Sequence, residues 1–188
     1  MNIVLIGYRG AGKSTVGRKL ASRTGNGFMD TDDLVEERQG ASIGDIVASC
    51  GWDHFRAVEK KIVEEISRMD NLIIAPGGGA VLDPENVRSL KENGLIIWLK
   101  AAREILCQRI DQDSRTIGRR PTLTGKGAME EFGEVMAIRN PLYEQAADAE
   151  IDTSGLDVEE VEEAVLSVIQ EKTGDLHWAG ILSERSSG

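Results

Sequence analysis

The sequence predicts an α/β fold in which helices cover both faces of a five-stranded parallel sheet. Short apolar runs of four or five residues alternate with stretches of helical periodicity, which is typical of successive strand, helix and strand units. The 188 residues match the size of one domain. Apolar residues make up 40% of the chain, which is enough for a core although only 4% are aromatic.

The five predicted strands are Ile3–Ile6, Gly27–Asp30, Leu72–Ala75, Leu95–Leu99 and Ala149–Ile151. The first half of the chain contains the first three of these strands and two helices. The first helix spans Lys13–Thr24, where apolar residues recur at helical spacing, and it ends at Gly25. The second begins at Ser42, a favoured N-cap residue, and continues to about Met69 with a break at Gly51.

Two later helices begin at recognisable caps. Asp83 followed by Pro84 predicts the N-cap and first turn of a helix that ends before Gly94. Asp157, with Glu160 three residues later, forms a capping box and predicts the last helix.

Two segments, residues 111–127 and residues 174–188, interrupt the pattern of strands and helices. Residues 111–127 contain several arginines and glycines, which is typical of a long active-site loop, so we expect a mobile lid there. We therefore expect one domain over residues 1–173 and a C-terminal tail over 174–188.

Charge and composition exclude several function classes. The net charge of −10 argues against nucleic acid as a partner, because proteins that bind phosphate backbones are usually basic. The first residues resemble no secretion signal, and no apolar run approaches the length of a membrane span, so we expect a cytoplasmic protein without a membrane partner. Cys50 and Cys107 lack metal-ligand spacing and are expected to be buried thiols in a reducing compartment. We also expect a monomer.

A glycine-rich segment carries the strongest evidence for function. Residues 7–14 match the P-loop pattern G-x-x-x-x-G-K-[ST], and they stand between the first strand and the first helix, where that pattern binds phosphate. Lys13 is expected to reach the outer phosphates and Ser14 to bind Mg²⁺ directly. The predicted nucleotide contacts here are Gly10, Ala11, Gly12, Lys13, Ser14 and Thr15. The alternative is a glycine turn that merely joins strand to helix.

Two carboxylates replace the acid that commonly follows the third strand of P-loop proteins. That strand ends in Pro76 and three glycines with no aspartate, whereas Asp30 and Asp32 stand at the end of the second strand. Because residues two apart on extended chain point the same way, both carboxylates can face the phosphates. The alternative is that they cap the following helix. A GTPase is excluded because the N-K-x-D base-recognition motif is absent.

Three glycines and two arginines indicate the second ligand. Gly77–Gly79, called the glycine floor below, follow the third strand, where backbone N–H groups can approach a polar ligand closely; a plain turn is the alternative. Arg56 and Arg139 could converge there, and two guanidinium groups favour a small carboxylic acid. Taken separately, each arginine is also typical of a surface charge.

Together these residues resemble the shikimate kinase family over about residues 1–170. The features that carry the resemblance are the P-loop, Asp30-Thr31-Asp32, Phe55-Arg56 with Glu59, Gly77-Gly78-Gly79-Ala80-Val81 and Arg139-Asn140-Pro141-Leu142-Tyr143. The resemblance implies a three-layer P-loop fold with a lid. It also implies ATP-dependent phosphorylation of the 3-hydroxyl of shikimate in aromatic amino-acid (chorismate) biosynthesis.

The resemblance also implies roles for individual residues. Shikimate would be held by Asp32, Arg56, Arg139 and the backbone of Gly77, Gly78 and Gly79. Asp30 would support Mg²⁺ through water, Arg109 would stack against adenine, and Arg120 would close with the lid onto the phosphates. In the expected mechanism Asp32 takes the proton of the attacking hydroxyl, while Lys13 and Arg120 offset charge on the transferring group.

Three alternatives stay open. Arg119 directly precedes Arg120, so either arginine could contact the phosphate. The enzyme could instead phosphorylate another small hydroxy acid such as gluconate. A regulatory module that binds nucleotide or metabolite without turnover is the alternative from a different class.

Overall fold

The computed structural model describes residues 1–112 and 128–174, except for the side chains of residues 128–131. At least one helix follows each strand along this part of the chain. In order they are β1 (Asn2–Ile6), α1 (Lys13–Thr24), β2 (Gly27–Asp30), α2 (Thr31–Gln39), α3 (Ile43–Ser67), β3 (Leu72–Ala75), α4 (Pro84–Glu92), β4 (Gly94–Lys100), α5 (Arg103–Gln112), α6 (Ala128–Ala146), β5 (Ala149–Asp152) and α7 (Val158–Thr173). A single 3-10 turn, Ala80–Leu82, lies between β3 and α4.

The five strands form one sheet in the order β2-β3-β1-β4-β5, and every neighbouring pair is parallel. The predicted α/β class and parallel sheet are therefore confirmed. Because all five strands run the same way, the segments that follow them meet along one edge of the sheet. The P-loop, the aspartates after β2 and the glycine floor after β3 are thereby brought together.

Helices cover both faces of the sheet, which gives the three layers. Alternate residues of β1 face opposite sides. Ile3 and Leu5 belong to a core shared with α1, α5 and α7. Val4 and Ile6 belong to a second core, shared with α3 and α4.

The predicted helix caps are present. The Ser42 hydroxyl accepts the Asp45 N–H at 3.1 Å, and Asp157 and Glu160 form the reciprocal capping box of α7. Gly51 has φ 81° and ψ 169°, so it interrupts α3 as predicted.

Some boundaries and exposures differ from the sequence predictions. Residues 111 and 112 were predicted to begin the lid, but they belong to α5, which continues the helical spacing of that segment. The remainder, residues 113–127, lies outside the described residues and includes Arg119 and Arg120. Residues 175–188 of the predicted tail lie outside them as well.

The prediction of two buried thiols was wrong. Both cysteines are free, but Cys50 is exposed and Cys107 is half-buried. Cys50 ends the part of α3 that precedes Gly51, and residues 48–50 are all exposed there, so no neighbouring layer covers its side chain.

Ion pairs join α1 to α7. Lys19 pairs with Glu159, and the Nη1 atom of Arg23 lies 2.6 Å from Glu163 Oε1 and 3.7 Å from the buried Glu162. The helix that follows the P-loop is thereby attached to the last helix of the described chain. None of the described helices is both long enough and apolar enough to span a bilayer.

Candidate active site

The P-loop joins β1 to α1 through residues in left-handed backbone conformations. Gly10 has φ 80° and Gly12 has φ 91°, values that a residue with a side chain adopts only under strain. Lys13 begins α1, and its Nζ donates to the carbonyl oxygens of Gly7 at 2.8 Å and Tyr8 at 3.1 Å. The ammonium group therefore lies against the loop that binds phosphate in P-loop proteins.

The side chains of Ser14 and Asp30 meet beside this loop. Ser14 Oγ donates to Asp30 Oδ2 at 2.5 Å. Asp30 Oδ1 accepts the Asp32 N–H at 3.0 Å, so Asp30 is also the N-cap of α2. The two interpretations of Asp30, helix cap and neighbour of the P-loop, are both correct.

The oxygen atoms of this pair fit Mg²⁺, which prefers hydroxyl, carboxylate, phosphate and water ligands. Among residues 1–112 and 128–174 there is no group of three or more His, Cys, Asp or Glu side chains that could hold a metal ion. A magnesium ion at Ser14 and Asp30 would therefore need nucleotide phosphates and water to complete its coordination.

The glycine floor lies against charged side chains. A Cβ atom on Gly77 would lie 2.7 Å from Asp32 Oδ1 and 2.7 Å from Glu59 Oε1. A Cβ atom on Gly79 would lie 2.8 Å from the Cζ atom of Arg56. All three distances are too short for a carbon atom, so a side chain at Gly77 or Gly79 would force these charged groups to shift, whereas glycine lets the backbone approach them closely. The floor therefore lies close to the carboxylates of Asp32 and Glu59 and to the Arg56 guanidinium.

Arg56 is held by an acid and two aromatic rings. Its Nη1 lies 2.5 Å from Glu59 Oε2, and Glu59 is 0% exposed, whereas the Arg56 side chain keeps 30% of its surface in solvent. Its Cζ lies 5.0 Å from the centre of the Phe55 ring and 5.6 Å from that of Trp52. These contacts fix the guanidinium plane while leaving part of it accessible to a ligand.

Arg139 lies between the floor and the P-loop. It is only 7% exposed, and its Nη1 donates to the Gly78 carbonyl at 3.2 Å. Its Cζ is 5.9 Å from the centre of the Tyr8 ring. The Tyr143 hydroxyl, one helical turn further along α6, donates to the same Gly78 carbonyl. Arg139 is thus a buried residue beside the glycine floor rather than a surface charge.

Arg109 supplies the other end of the cavity. From α5 it donates through Nη1 to Thr153 Oγ1 at 2.9 Å and through Nη2 to the Thr153 carbonyl at 2.8 Å. These two bonds hold the guanidinium plane in place. Thr153 and Leu156, from the turn after β5, line the same cavity, which fits the predicted contact with adenine.

A carboxylate stabilises the turn that carries Thr153. The hydroxyl of Ser154 donates to Asp152 Oδ1 at 2.6 Å, and the Ser154 N–H donates to the same atom at 2.9 Å. These hydrogen bonds favour the charged carboxylate and hold the pKa of Asp152 below its ordinary value of 3.8.

One cavity of about 630 Å³ joins the nucleotide end to the floor. The predicted site residues that line it are Gly10, Ala11, Gly12, Lys13, Ser14, Thr15, Asp30, Asp32, Gly78 and Arg109. The other predicted site residues lie next to this lining rather than in it, at the distances described above: Arg56, Gly77, Gly79 and Arg139. Arg120 is the one predicted site residue outside the described part of the chain.

Sequence reasoning gave no role to several residues that the structure places in the site. Thr31 Oγ1 accepts the Gly77 N–H at 2.8 Å, Glu59 pairs with Arg56, and Tyr143 contacts Gly78. All three residues belong to motifs that carry the family resemblance, but none was given a role of its own. Glu59 could have been assigned as the partner of Arg56, because it is an acid on the apolar face of α3 three residues later. Thr31 and Tyr143 match ordinary core positions, so no spacing in the sequence indicates their hydroxyl contacts.

Comparisons with known proteins agree with this arrangement. The shikimate kinase family profile matches residues 9–170. The shikimate kinase of Syntrophus aciditrophicus is 41% identical over 177 residues, which cover 90% of this chain and 91% of that protein. The shikimate kinase of Symbiobacterium thermophilum is 41% identical over 172 residues, covering 92% of this chain and 98% of that one.

A solved structure gives the same result in three dimensions. The shikimate kinase of Acinetobacter baumannii, determined in complex with shikimate, superposes with a TM-score of 0.84 at 32% identity, covering 92% of this chain and 94% of that one. The profile match extends over most of the sequence and includes residues 9–14 of the P-loop, the glycine floor, Arg56 and Arg139. The chain therefore belongs to the shikimate kinase family.

Proposed function

We propose that this enzyme transfers the γ-phosphoryl group of ATP to the 3-hydroxyl of shikimate, giving ADP and shikimate 3-phosphate. The observation that carries the proposal is the convergence of Asp32, Arg56 and Arg139 on the glycine floor, beside the cavity that the P-loop, Asp32 and Gly78 line. Two arginines suit the carboxylate of shikimate, and the acid suits a hydroxyl beside the phosphates. All these residues come from one chain, which supports the expectation that the enzyme acts as a monomer.

The chemistry assigned to the described residues follows from their places. Arg56 and Arg139 hold the substrate carboxylate, and Asp32 accepts a hydrogen bond from the 3-hydroxyl. As the oxygen of this hydroxyl forms its bond to the γ-phosphorus, Asp32 takes the proton and the bond from phosphorus to the bridging β–γ oxygen breaks. Lys13 and the P-loop N–H groups offset the charge on the phosphates.

Ser14 and Asp30 would hold Mg²⁺, which supplies positive charge to the phosphate oxygens when it is bound. Arg109 stacks on adenine, and its two bonds to Thr153 support this role by fixing the guanidinium plane. Arg120 contributes positive charge to the transferring group, an assignment that rests on its place in the sequence.

An assay of ADP release tests the proposal. Purified enzyme, ATP and Mg²⁺ are mixed with shikimate, with gluconate or with no acceptor, and the phosphorylated product is identified by ³¹P NMR. We expect one ADP for each shikimate consumed and only background release in the other reactions. Turnover with gluconate alone would support the other small-acid kinase, and no turnover with any acceptor would support a regulatory module.

A further inference from the structure

Two buried hydroxyl groups hold the glycine floor at consecutive residues. The Gly77 N–H donates to Thr31 Oγ1 at 2.8 Å, and the Gly78 carbonyl accepts a hydrogen bond from the Tyr143 hydroxyl. Both Thr31 and Tyr143 are 0% exposed. Thr31, at the start of α2, precedes the floor in the sequence, and Tyr143, on α6, follows it. The floor is therefore fixed by its neighbours rather than by its own turn alone.

The position of the floor determines the spacing of the charged groups beside it. A Cβ atom on Gly77 would lie 2.7 Å from the carboxylate oxygens of Asp32 and Glu59, and one on Gly79 would lie 2.8 Å from Arg56 Cζ. Because no side chain separates the backbone from these groups, a small displacement of the floor would change the distance between Asp32 and Arg56. The substrate proposed above would bridge that distance, from its hydroxyl at Asp32 to its carboxylate at Arg56.

The Gly78 carbonyl also connects the floor to Arg139. This oxygen has two lone pairs, and the described donors to it are the Tyr143 hydroxyl and Arg139 Nη1. The guanidinium thus gives one of its five N–H groups to the floor. If the hydroxyl is removed, the buried carbonyl loses a donor, and the nearby guanidinium is the group able to replace it. Arg139 would then turn toward the floor and away from a bound carboxylate.

We propose that Thr31 and Tyr143 are positioning residues for shikimate, acting through the glycine floor on Asp32, Arg56 and Arg139. The proposal rests on the proposed function, because it assigns the floor to the substrate side of the cavity. It differs from a purely structural role in a measurable way. A structural role lowers stability without discriminating between substrates, whereas positioning through the floor weakens the use of shikimate and leaves that of ATP unchanged.

The test removes each hydroxyl with little change in shape. Thr31→Val and Tyr143→Phe are compared with wild type, and KM is measured separately for shikimate and ATP. We expect the KM for shikimate to rise roughly 5- to 20-fold in each variant, with the KM for ATP within about twofold of wild type. Thr31→Ser, which keeps the hydroxyl, should restore the wild-type KM for shikimate.

A matched control removes a buried hydroxyl elsewhere. Thr24 Oγ1 donates to the Leu20 carbonyl at 2.8 Å, at the end of α1 opposite the P-loop. Thr24→Val should lower the melting temperature without changing either KM. Equal changes in both KM values for Thr31→Val and Tyr143→Phe, or no change in either, would overturn the proposal.

The hydrogen bond to Gly77 is also tested without the reaction. Amide exchange measured by NMR should be faster at Gly77 in Thr31→Val than in wild type, and Thr31→Ser should restore slow exchange. If Tyr143→Phe does not fold, the valine and serine variants of Thr31 decide the result. Failure of wild type to phosphorylate shikimate would contradict the proposed function, whereas unchanged Gly77 exchange in Thr31→Val would contradict the contact on which this inference depends.

Discussion

The two ends of the cavity are built differently. At the proposed nucleotide end, one short segment supplies the phosphate site through the backbone conformations of Gly10 and Gly12 and the start of α1. At the floor, the charged groups arrive from three separate helices, with Asp32 on α2, Arg56 on α3 and Arg139 on α6. Phosphates can be held by N–H groups that any backbone supplies, whereas a small carboxylic acid needs guanidinium groups at fixed positions. The floor end therefore depends on buried side-chain contacts that the P-loop does without.

The largest expected effect comes from removing the cation of the nucleotide end. Lys13→Met should reduce turnover to near background, a loss of about 10⁵-fold, because the phosphates lose their fixed positive charge. The control is Lys91→Met, which removes an exposed lysine of α4 and should leave turnover unchanged. ADP release and thermal melting are measured for both. Appreciable turnover in Lys13→Met would remove the P-loop lysine from the mechanism.

The second prediction concerns charge supplied from residues 113–127. Arg120→Ala should slow turnover by ~10³–10⁵-fold, as loss of a comparable arginine does in other phosphoryl transfers, and Arg119→Ala should be much milder. Single-turnover rates of the two variants give the comparison. The reverse order would assign the phosphate contact to Arg119, and two mild effects would show that neither arginine belongs to the reaction.

Asp32 lies where the two ends meet. Asp32→Asn should lower kcat by ~10²–10⁴-fold while ATP binding survives, because the amide cannot take the proton of the hydroxyl. Asp33→Asn is the matched control, since this neighbouring carboxylate pairs with Arg18 at 2.7 Å and is half exposed. Titration calorimetry with an ATP analogue separates binding from turnover. A collapse of nucleotide affinity in Asp32→Asn would place the residue in the metal site instead.

The floor end is tested by a substitution that keeps the positive charge of residue 56 but changes the shape of its side chain. Arg56→Lys should raise the KM for shikimate about 10- to 100-fold, because an ammonium group cannot donate two parallel hydrogen bonds to a carboxylate. Arg38→Lys is the control, since Arg38 donates to both Glu65 oxygens at 3.0 and 2.5 Å on the exposed surface. An equal rise in the KM for ATP in Arg56→Lys would remove the distinction between the two ends.

The difference between the two ends of the cavity also explains which features could be predicted from the sequence. The P-loop is eight consecutive residues, and its glycines and lysine follow one another in a fixed spacing, so its place between β1 and α1 was predicted correctly. The Ser42 and Asp157 caps were found for the same reason, since each depends on residues a few positions apart. Local patterns of this kind require no knowledge of the tertiary structure.

At the floor end, the residue pattern singled out Gly77–Gly79, Arg56 and Arg139, and the family resemblance added their roles, but the contacts between them were not predicted. Tyr143 and Gly78 are 65 positions apart, and Thr31 and Gly77 are 46 apart, so no local spacing joins them. The burial of Glu59 beside Arg56 also follows from packing of α3 on the sheet, which the sequence does not specify. The exposure of Cys50 was missed because cysteine is usually a buried residue, whereas the core does not reach this turn of α3.

The smallest expected effect is a dependence of stability on pH at the adenine side. Because the pKa of Asp152 is lower in the folded protein than its ordinary value of 3.8, the charged carboxylate stabilises the fold above that value. This contribution is lost as the pH falls through the lowered pKa. Asp152→Asn should therefore be less stable than wild type at neutral pH, and the difference should shrink below about pH 4. Urea unfolding at several pH values measures it, and a difference independent of pH would contradict the assignment.

The ion pairs between α1 and α7 have a consequence for how the protein is made. The N-terminal turn of α7 lines the cavity that the P-loop opens into, and Lys19 and Arg23 attach this helix to α1. A nascent chain that has left the ribosome only as far as β4 contains the P-loop and the glycine floor but not the wall on which adenine would rest. Nucleotide binding during synthesis should therefore begin only after α7 has emerged and docked, and ATP would stabilise only chains that include α7.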